Sequence, residues 1–299
     1  MDNQLVVSTF LTWQAQQRQA SPHTIAAYQR DLQQLMKAEI PFEQLTPRDI
    51  RARLAALAAG GLSPRSLARM LSAWRRCFHY LVNRHGWESN PCDGIHPPKA
   101  DKRLPEVVTP DLASFFLDSM TGDDPLTLRD RAMFELLYSC GLRVSELVGL
   151  DQHDLDLDEQ LLVVRFGKGK KSRLVPFGQS AKAAVQHWLA VRGPWAAQPA
   201  LFINQQGGRL TTRTVQLRIK AQGIKAGIPQ NLYPHLLRHA CASHVLQSSQ
   251  DLRGVQELLG HASIVSTQVY THLDFQHLAS VYDKTHPRAK KGSSGGSED

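Results

Sequence analysis

Six polar residues of this chain have types and an order that suit them to work together chemically. They are Arg143, Lys168, His235, Arg238, His261 and Tyr270. Arginine donates paired hydrogen bonds to oxyanions, histidine exchanges protons near neutral pH, and a tyrosine hydroxyl can form a covalent intermediate. Each residue alone has an ordinary structural explanation, such as an ion pair between Arg143 and Glu146, three residues further along a helix.

Two arginines and a tyrosine could act together on an anionic substrate such as a phosphodiester. A free phenol has a pKa near 10, so only about one in a thousand is ionised at pH 7. Attack on an anionic phosphate therefore needs positive charge, which the guanidiniums of Arg143 and Arg238 can supply. The sequence has no P-loop, no aspartate cluster with metal-ligand spacing and no H-E-x-x-H. We predict neither a metal nor another cofactor.

The elements that must hold these residues lie in the second part of the chain. Arg143 follows an apolar helix, MFELLYSC, and His235-x-x-Arg238 shares one helix face. Lys168 lies in G-K-G-K-K between LLVVRF (161–166) and SRLVPF (172–177), which predicts a β-hairpin. ALFIN (200–204) predicts a further short strand, and His261 follows a helix end at Gly260.

The first part of the chain, residues 1–90, predicts a bundle of about four helices. One helix covers 4–17, and the pairs Ser21-Pro22, Thr46-Pro47 and Ser63-Pro64 each start another, because a hydroxyl N-cap followed by proline suits a helix start. Four prolines make 91–108 the predicted linker. Thr109-Pro110 opens a second domain, 109–290, and residues 291–299 form a flexible tail by composition.

Composition favours a polyanionic partner and a cytosolic protein. The net charge is +8, with basic runs at Lys99–Arg103, Lys168–Arg173 and Arg288–Lys291 that either contact phosphates or are simply solvated. There is no secretory signal and no apolar run of membrane-spanning length. The four cysteines have no C-x-x-C spacing, so we expect each to pack as a small hydrophobe.

The six residues together resemble the tyrosine recombinase (phage-integrase) family. Its pattern is an Arg, a Lys on a β-hairpin, His-x-x-Arg, a second His or Trp, and a Tyr nine residues later, and every element is present here in order. The stretch 234–289 looks most like the chromosomal Xer recombinases. The resemblance covers nearly the whole chain and implies a mainly α fold. That fold has a SAM-like, core-binding helical bundle and a mixed α/β, mostly helical catalytic domain with a small antiparallel sheet.

The resemblance also implies a role for each residue. Tyr270 would be the nucleophile that forms a 3′-phosphotyrosyl link, and His261 would add a hydrogen bond to the phosphate. His235 would accept the tyrosine proton, and Lys168 would donate a proton to the departing 5′ oxygen. Strand exchange would pass through a Holliday junction held by four protomers on two DNA sites. The resemblance implies a second, related Xer-type recombinase as a partner, and it is compatible with a DNA translocase as another.

DNA contacts are expected from both domains, which would clamp the duplex between them. In the second domain, the helix after Thr212 presents four polar residues that either read base edges in the major groove or form a solvated face: Arg213, Gln216, Arg218 and Lys220. Lys170 and Lys171 in the hairpin turn are further candidates. The segment 274–282 has helical spacing and docks either on a neighbouring protomer or on its own domain.

Three other functions remain possible at this point. A mobile-element integrase or a type IB topoisomerase would share the catalytic set, although the ending DFQHLASVYD…HPRA argues against both. A non-catalytic DNA-binding protein would bind its site without forming a covalent adduct. A metal hydrolase could use some of the 13 histidines, because His235 and His239 have i, i+4 spacing, but no carboxylate accompanies them.

Overall fold

The chain forms two compact units that divide between Leu104 and Pro105. A computed structural model describes residues 2–97, 108–165, 172–193, 199–249 and 286–288. Each unit has its own hydrophobic core. The fold is mainly helical with one small antiparallel sheet, as predicted. Across these described ranges, no helix is long and apolar enough to cross a membrane.

The first unit contains four helices whose starts follow from the sequence. They are α1 (Asn3–Gln16), α2 (Pro22–Met36), α3 (Pro47–Ala59) and α4 (Pro64–His85), with a 3-10 turn at Phe42–Gln44. Ser21, Thr46 and Ser63 each accept a hydrogen bond from a backbone N–H in the first turn, so the three predicted starts are confirmed. α4 ends at Gly86, whose φ of +69° lies in the left-handed region that glycine adopts most readily.

The predicted linker begins too early. Cys92 and Ile95 are buried in the core of the first unit. Arg75 of α4 donates to both of their carbonyl oxygens, at 3.2 Å and 2.7 Å, while the side chain of Asn90 accepts from the Cys92 N–H at 2.9 Å. Prolines marked this segment as irregular, but its backbone groups are satisfied by α4 and it therefore belongs to the first unit.

The second unit contains six helices and a three-stranded sheet among its described residues. The helices are α5 (Pro110–Asp118), α6 (Pro125–Ser139), α7 (Val144–Gly149), α8 (Gln179–Arg192), α9 (Thr212–Lys225) and α10 (Pro234–Ser249), with a 3-10 turn at Gln152–Asp154. The strands are β1 (Leu155–Asp156), β2 (Leu161–Val164) and β3 (Arg173–Pro176), all antiparallel in the order β1-β2-β3. The predicted hairpin is therefore confirmed, and its turn, 166–171, lies outside the described residues.

The predicted strand ALFIN (200–204) is wrong. Only two isolated bridges form there, from Ala200 to Asp151 and from Ile203 to Arg209. The Leu201 carbonyl instead accepts from the Trp188 indole N–H at 2.9 Å and from the Arg192 Nε–H at 3.2 Å. Because side chains of α8 take these acceptors, the segment does not extend into a ladder.

Helix α6 is the centre of the second unit. Every residue from Ala132 to Ser139 is buried, and the helix packs against α5, α7, α8, α9 and α10. Burial of the second half of α6 on all sides explains the long apolar run in its sequence. The glutamate in that run, Glu135, is 0% exposed. The chain leaves α6 directly into the segment that carries Arg143.

Candidate active site

Arg143 is placed by a tight turn at the end of α6. Cys140 ends the helix, and Gly141 follows with a φ of +55°, in the region that favours glycine. Arg143 then becomes the N-cap residue of α7. The guanidinium of Arg143 remains 26% exposed, so it is accessible from solvent while its backbone is fixed.

Glu146 is the carboxylate that holds Arg143. Its Oε1 accepts from Arg143 Nη1 at 2.8 Å, and its Oε2 accepts from the backbone N–H of Arg143 at 2.9 Å. Arg173 of β3 donates to the same two oxygens, at 3.0 Å and 2.9 Å. Burial alone would raise the pKa of Glu146, but the hydrogen bonds and charges of the two arginines lower it to about 2. Glu146 is therefore ionised at neutral pH, and the ion pair suggested by the sequence is present.

Arg238 is the second arginine, and it is buried on α10. It donates through Nη1 to the carbonyl of Gly141, the residue that turns the chain toward Arg143. Burial is the main cause that lowers the pKa of Arg238 to about 10; the nearby charge of Arg143 acts in the same direction, while Glu146 opposes the change. The two guanidiniums therefore lie near each other, and an anion that binds between them would relieve their repulsion.

His235 precedes Arg238 by one helical turn on α10 and is exposed. Burial of its ring is the main cause that lowers its pKa, and the positive charges of His239 and both arginines add to the effect. A lowered pKa keeps the imidazole neutral at pH 7, which is the state that can accept a proton. The His235 and His239 ring centroids are 6.4 Å apart, and among the described residues neither histidine belongs to a group of three or more potential metal ligands.

The structure thus brings together three of the six predicted catalytic residues: Arg143, His235 and Arg238. Lys168, His261 and Tyr270, and the candidate DNA contacts Lys170 and Lys171, lie outside the described residues. Arg165 and Arg173 are the nearest described arginines on either side of the hairpin turn. Since Arg173 binds Glu146, the hairpin is joined to the carboxylate that holds Arg143.

The predicted DNA-reading helix is α9, and its four candidate residues differ in their surroundings. Arg213, Gln216 and Lys220 are exposed on one side of the helix. Arg218 is only partly exposed, and its Nε donates to Oδ2 of the buried Asp130 at 2.5 Å. Arg218 is therefore committed at least in part to an internal ion pair, whereas the other three side chains project into solvent.

Two arginines of the basic runs are also committed internally. Arg173 is bound to Glu146, and Arg288 is buried against Glu135 and Asp118. The expectation that these runs are either phosphate contacts or solvated surface is wrong for both residues. The sequence did not predict these two ion pairs, because the carboxylate partners of Arg173 and Arg288 are distant in the chain. The one available signal was Glu135, an isolated glutamate within the apolar run of α6.

Comparisons with known proteins agree on the same family for both units. Residues 106–277 match the phage integrase family, and residues 7–85 match the phage integrase N-terminal SAM-like domain. The tyrosine recombinase XerC of Chromobacterium violaceum is 50% identical over 274 residues, which cover 91% of this chain and 91% of that protein. The tyrosine recombinase XerC 1 of Ralstonia nicotianae is 50% identical over 301 residues, which cover 92% and 91%.

Solved structures give the same result for the fold. The crystal structure of XerA recombinase is 30% identical and covers 94% of this chain and 98% of that one, with a TM-score of 0.51. The XerH site-specific recombinase, in a post-cleavage complex with a palindromic difH substrate, is 24% identical with a TM-score of 0.68. It covers 89% of this chain and 81% of that one, and at this identity it is evidence for the fold alone.

We predict that Glu146→Gln lowers both stability and activity. The neutral amide leaves Arg143 and Arg173 without their shared charge, and loss of one partner of a buried ion pair costs roughly 3 kcal/mol. Because the folded pKa of about 2 lies below the ordinary 4.5, the carboxylate stabilises the wild type above pH 4.5, and this contribution is lost as pH falls toward 2. Urea unfolding at several pH values should show a smaller acid loss in the variant.

The matched control is Glu159→Gln, which changes an exposed glutamate. It should leave the free energy of unfolding and the rate of DNA cleavage near wild type. Equal acid sensitivity of the Glu146→Gln variant and the wild type would contradict the assignment of Glu146 as the ionised support of Arg143.

Proposed function

We propose that this chain, which belongs to the phage integrase family of tyrosine recombinases, cuts and rejoins DNA through a covalent bond to Tyr270. Membership makes it a site-specific DNA strand-exchange enzyme. The observation that supports our assignment of the chemistry is that Arg238, one helical turn after His235, donates to the carbonyl of Gly141, two residues before Arg143. Two adjacent guanidiniums form a site for an anion with two non-bridging oxygens, such as a phosphodiester.

The proposed reaction has two reversible halves. The Tyr270 oxygen attacks phosphorus, its proton passes to His235, and the 5′ oxygen leaves with a proton from Lys168. The 3′-phosphotyrosyl bond conserves the energy of the broken ester, so a 5′ hydroxyl of another strand can reverse the step without ATP. Arg143, Arg238 and His261 stabilise the charge on the phosphate oxygens, and an arginine in this role is worth on the order of 10³–10⁵ in rate.

We further propose that exchange occurs on chromosome-dimer resolution sites, in a tetramer of this chain with a XerD-like recombinase. The support is the 50% identity to XerC proteins over most of the chain. As a member of this family, the chain binds DNA recombination sites. Passage through a Holliday junction follows from exchanging one pair of strands at a time.

We predict that Tyr270→Phe binds DNA with unchanged affinity but forms no covalent adduct. The test is a nicked candidate resolution site whose cleavage traps the intermediate, followed by a denaturing gel. Wild-type protein should give a slower protein–DNA band, and the variant should give none. A band from Tyr270→Phe would disprove the nucleophile assignment. If the wild type binds but gives no band, the assay is repeated with a XerD-like partner; continued absence would favour a non-catalytic DNA-binding protein.

We also predict that cleavage does not need a divalent metal. The described residues contain one cluster with metal-ligand spacing, Asp151, His153 and Asp154, but both carboxylates are already ion-paired, with Arg209 and Arg165 respectively. Adding a chelator in excess should leave the rate of adduct formation unchanged. Complete loss of cleavage, restored by magnesium, would favour a metal-dependent hydrolase over the two-arginine mechanism.

We propose α9 as the helix that enters the major groove, with Arg213, Gln216 and Lys220 toward the DNA. The support is that all three side chains are exposed on one side of the helix and that two of them are basic. Gln216 has the side-chain geometry that pairs with adenine, and Lys220 that of a phosphate contact. Arg218 contributes chiefly to the fold through Asp130.

We predict different effects for three alanine variants of α9. Gln216→Ala should weaken discrimination at one base pair by about 1–3 kcal/mol. Lys220→Ala should weaken binding to all sequences and reduce the salt slope by about one unit. Arg218→Ala should mainly lower the free energy of unfolding. Binding titrations at several salt concentrations separate these cases, and full affinity in both Gln216→Ala and Lys220→Ala would contradict the placement of α9.

A further inference from the structure

Arg173 opens strand β3, and two nitrogens of its guanidinium bind Glu146. Nη1 donates to Oε1 at 3.0 Å and Nη2 donates to Oε2 at 2.9 Å, which is the paired arrangement in which a guanidinium binds a carboxylate most strongly. The side chain of Arg173 is 10% exposed and that of Glu146 is 5% exposed. Because water has little access to this pair, its two members are held in one geometry.

The backbone of Arg173 is fixed by the sheet and by α6. Arg173 is paired with Val164 in the ladder between β2 and β3. Two residues beyond the end of β3, Gly178 donates its N–H to the hydroxyl of Ser139, the last residue of α6, at 3.2 Å. Arg173 therefore reaches Glu146 from a rigid support.

The single negative charge of Glu146 is shared between two guanidiniums. Arg143 reaches Glu146 through Nη1 at 2.8 Å, whereas Arg173 reaches it through both terminal nitrogens. Burial raises the pKa of Glu146, and of the groups that lower it Arg173 contributes the most, ahead of Arg143. Arg143 has the more exposed side chain of the two, at 26%. The arginine that is open to a second anion is thus the one that Glu146 holds less tightly.

We propose that Arg173 is a positioning residue for strand cleavage, which balances the charge of Glu146 so that Arg143 remains available to the phosphate. The proposal rests on the proposed role of Arg143 at the phosphate. Without Arg173, the two oxygens of Glu146 would both turn to Arg143. A carboxylate that binds Arg143 in this way competes with a phosphate for the same N–H donors. Arg173 thus acts on the reaction through Glu146.

The test measures the single-turnover rate of adduct formation at saturating nicked DNA, with the full chain. Arg173→Met should slow cleavage by about 10- to 100-fold, which is part of the 10³–10⁵ that an arginine at a transferring phosphate is worth. Arg173→Lys keeps the charge but not the paired hydrogen bonds, so its rate should be intermediate. The urea unfolding midpoint and the DNA affinity are measured for each variant, because a purely architectural contact would change stability without changing the rate of the folded protein.

The double variant Glu146→Gln/Arg173→Met tests whether Arg173 acts through Glu146. Because it removes both charges, it leaves neither member of this pair as a buried ion without its partner. Its rate should lie within about twofold of that of Glu146→Gln, since Arg173 then has no carboxylate charge to balance. Arg173→Lys in both backgrounds provides the same comparison if Arg173→Met does not fold.

Three results would overturn the proposal. One is a loss of rate on removing Arg173 that is as large in the Glu146→Gln background as in the wild-type background. Another is a wild-type rate for both Arg173→Met and Arg173→Lys. The third is a slowing that only parallels a lower unfolding midpoint or weaker DNA binding.

Arg165→Met is the matched control. Arg165 precedes the hairpin turn and pairs with Asp154 rather than with Glu146. This variant should cleave at the wild-type rate when DNA is saturating; slowing equal to that of Arg173→Met would overturn the proposal, because loss of any positive charge near the turn would then suffice. No adduct from the wild type, with or without a XerD-like partner, would overturn the proposed function and this proposal with it. A wild-type adduct without the expected loss in the Arg173 variants overturns this proposal alone.

Discussion

Repulsion between two guanidiniums is the constraint on which the catalytic unit depends. Arg143 lies near enough to Arg238 for its charge to lower the pKa of that guanidinium, so each disfavours the charge of the other. The protein offsets this with one ionised carboxylate, Glu146, and one carbonyl, that of Gly141. Gly141 lies in the turn that follows α6 and Glu146 lies in α7, so both groups come from the segment directly after α6. The buried helix α6 fixes the start of this segment within the core.

Features governed by neighbouring residues could be predicted from the sequence, and features governed by distant partners could not. Helix starts at Ser21, Thr46 and Ser63 are local, because a hydroxyl and the next turn decide them. The pairing of Arg143 with Glu146 is local for the same reason. By contrast, Glu146 and Arg173 are 27 residues apart in the sequence, and no pattern of spacing predicts their hydrogen bonds. The order of the residue types indicated the family, and the local support of Arg143 by Glu146 was also predictable, whereas the distant contact from Arg173 was not.

The same distinction explains why counting charge gave the right partner but some wrong residues. A net charge of +8 favours DNA as the partner. Yet Arg173, Arg288 and, in part, Arg218 neutralise carboxylates inside the catalytic unit. Two structural predictions, the linker after Asn90 and the strand ALFIN, were wrong for an analogous reason. In each segment a backbone carbonyl accepts from a side chain of a helix that is distant in sequence, Arg75 in the first case and Trp188 in the second. Net charge therefore indicates a polyanionic partner, but it does not show which basic side chains are exposed and which are paired with carboxylates inside the protein.

Burial of all four cysteines has a consequence for the redox behaviour of the enzyme. Burial raises the pKa of Cys92 and of Cys241 to about 12, so these thiols stay protonated at neutral pH and are poor nucleophiles. Cys241 lies three residues from Arg238, and as a neutral group it adds no negative charge beside that arginine. Oxidants that disable thiol-dependent enzymes therefore find no thiolate here. A single cysteine introduced at an exposed position would be the one thiol open to a fluorescent or spin label, in an otherwise natural chain.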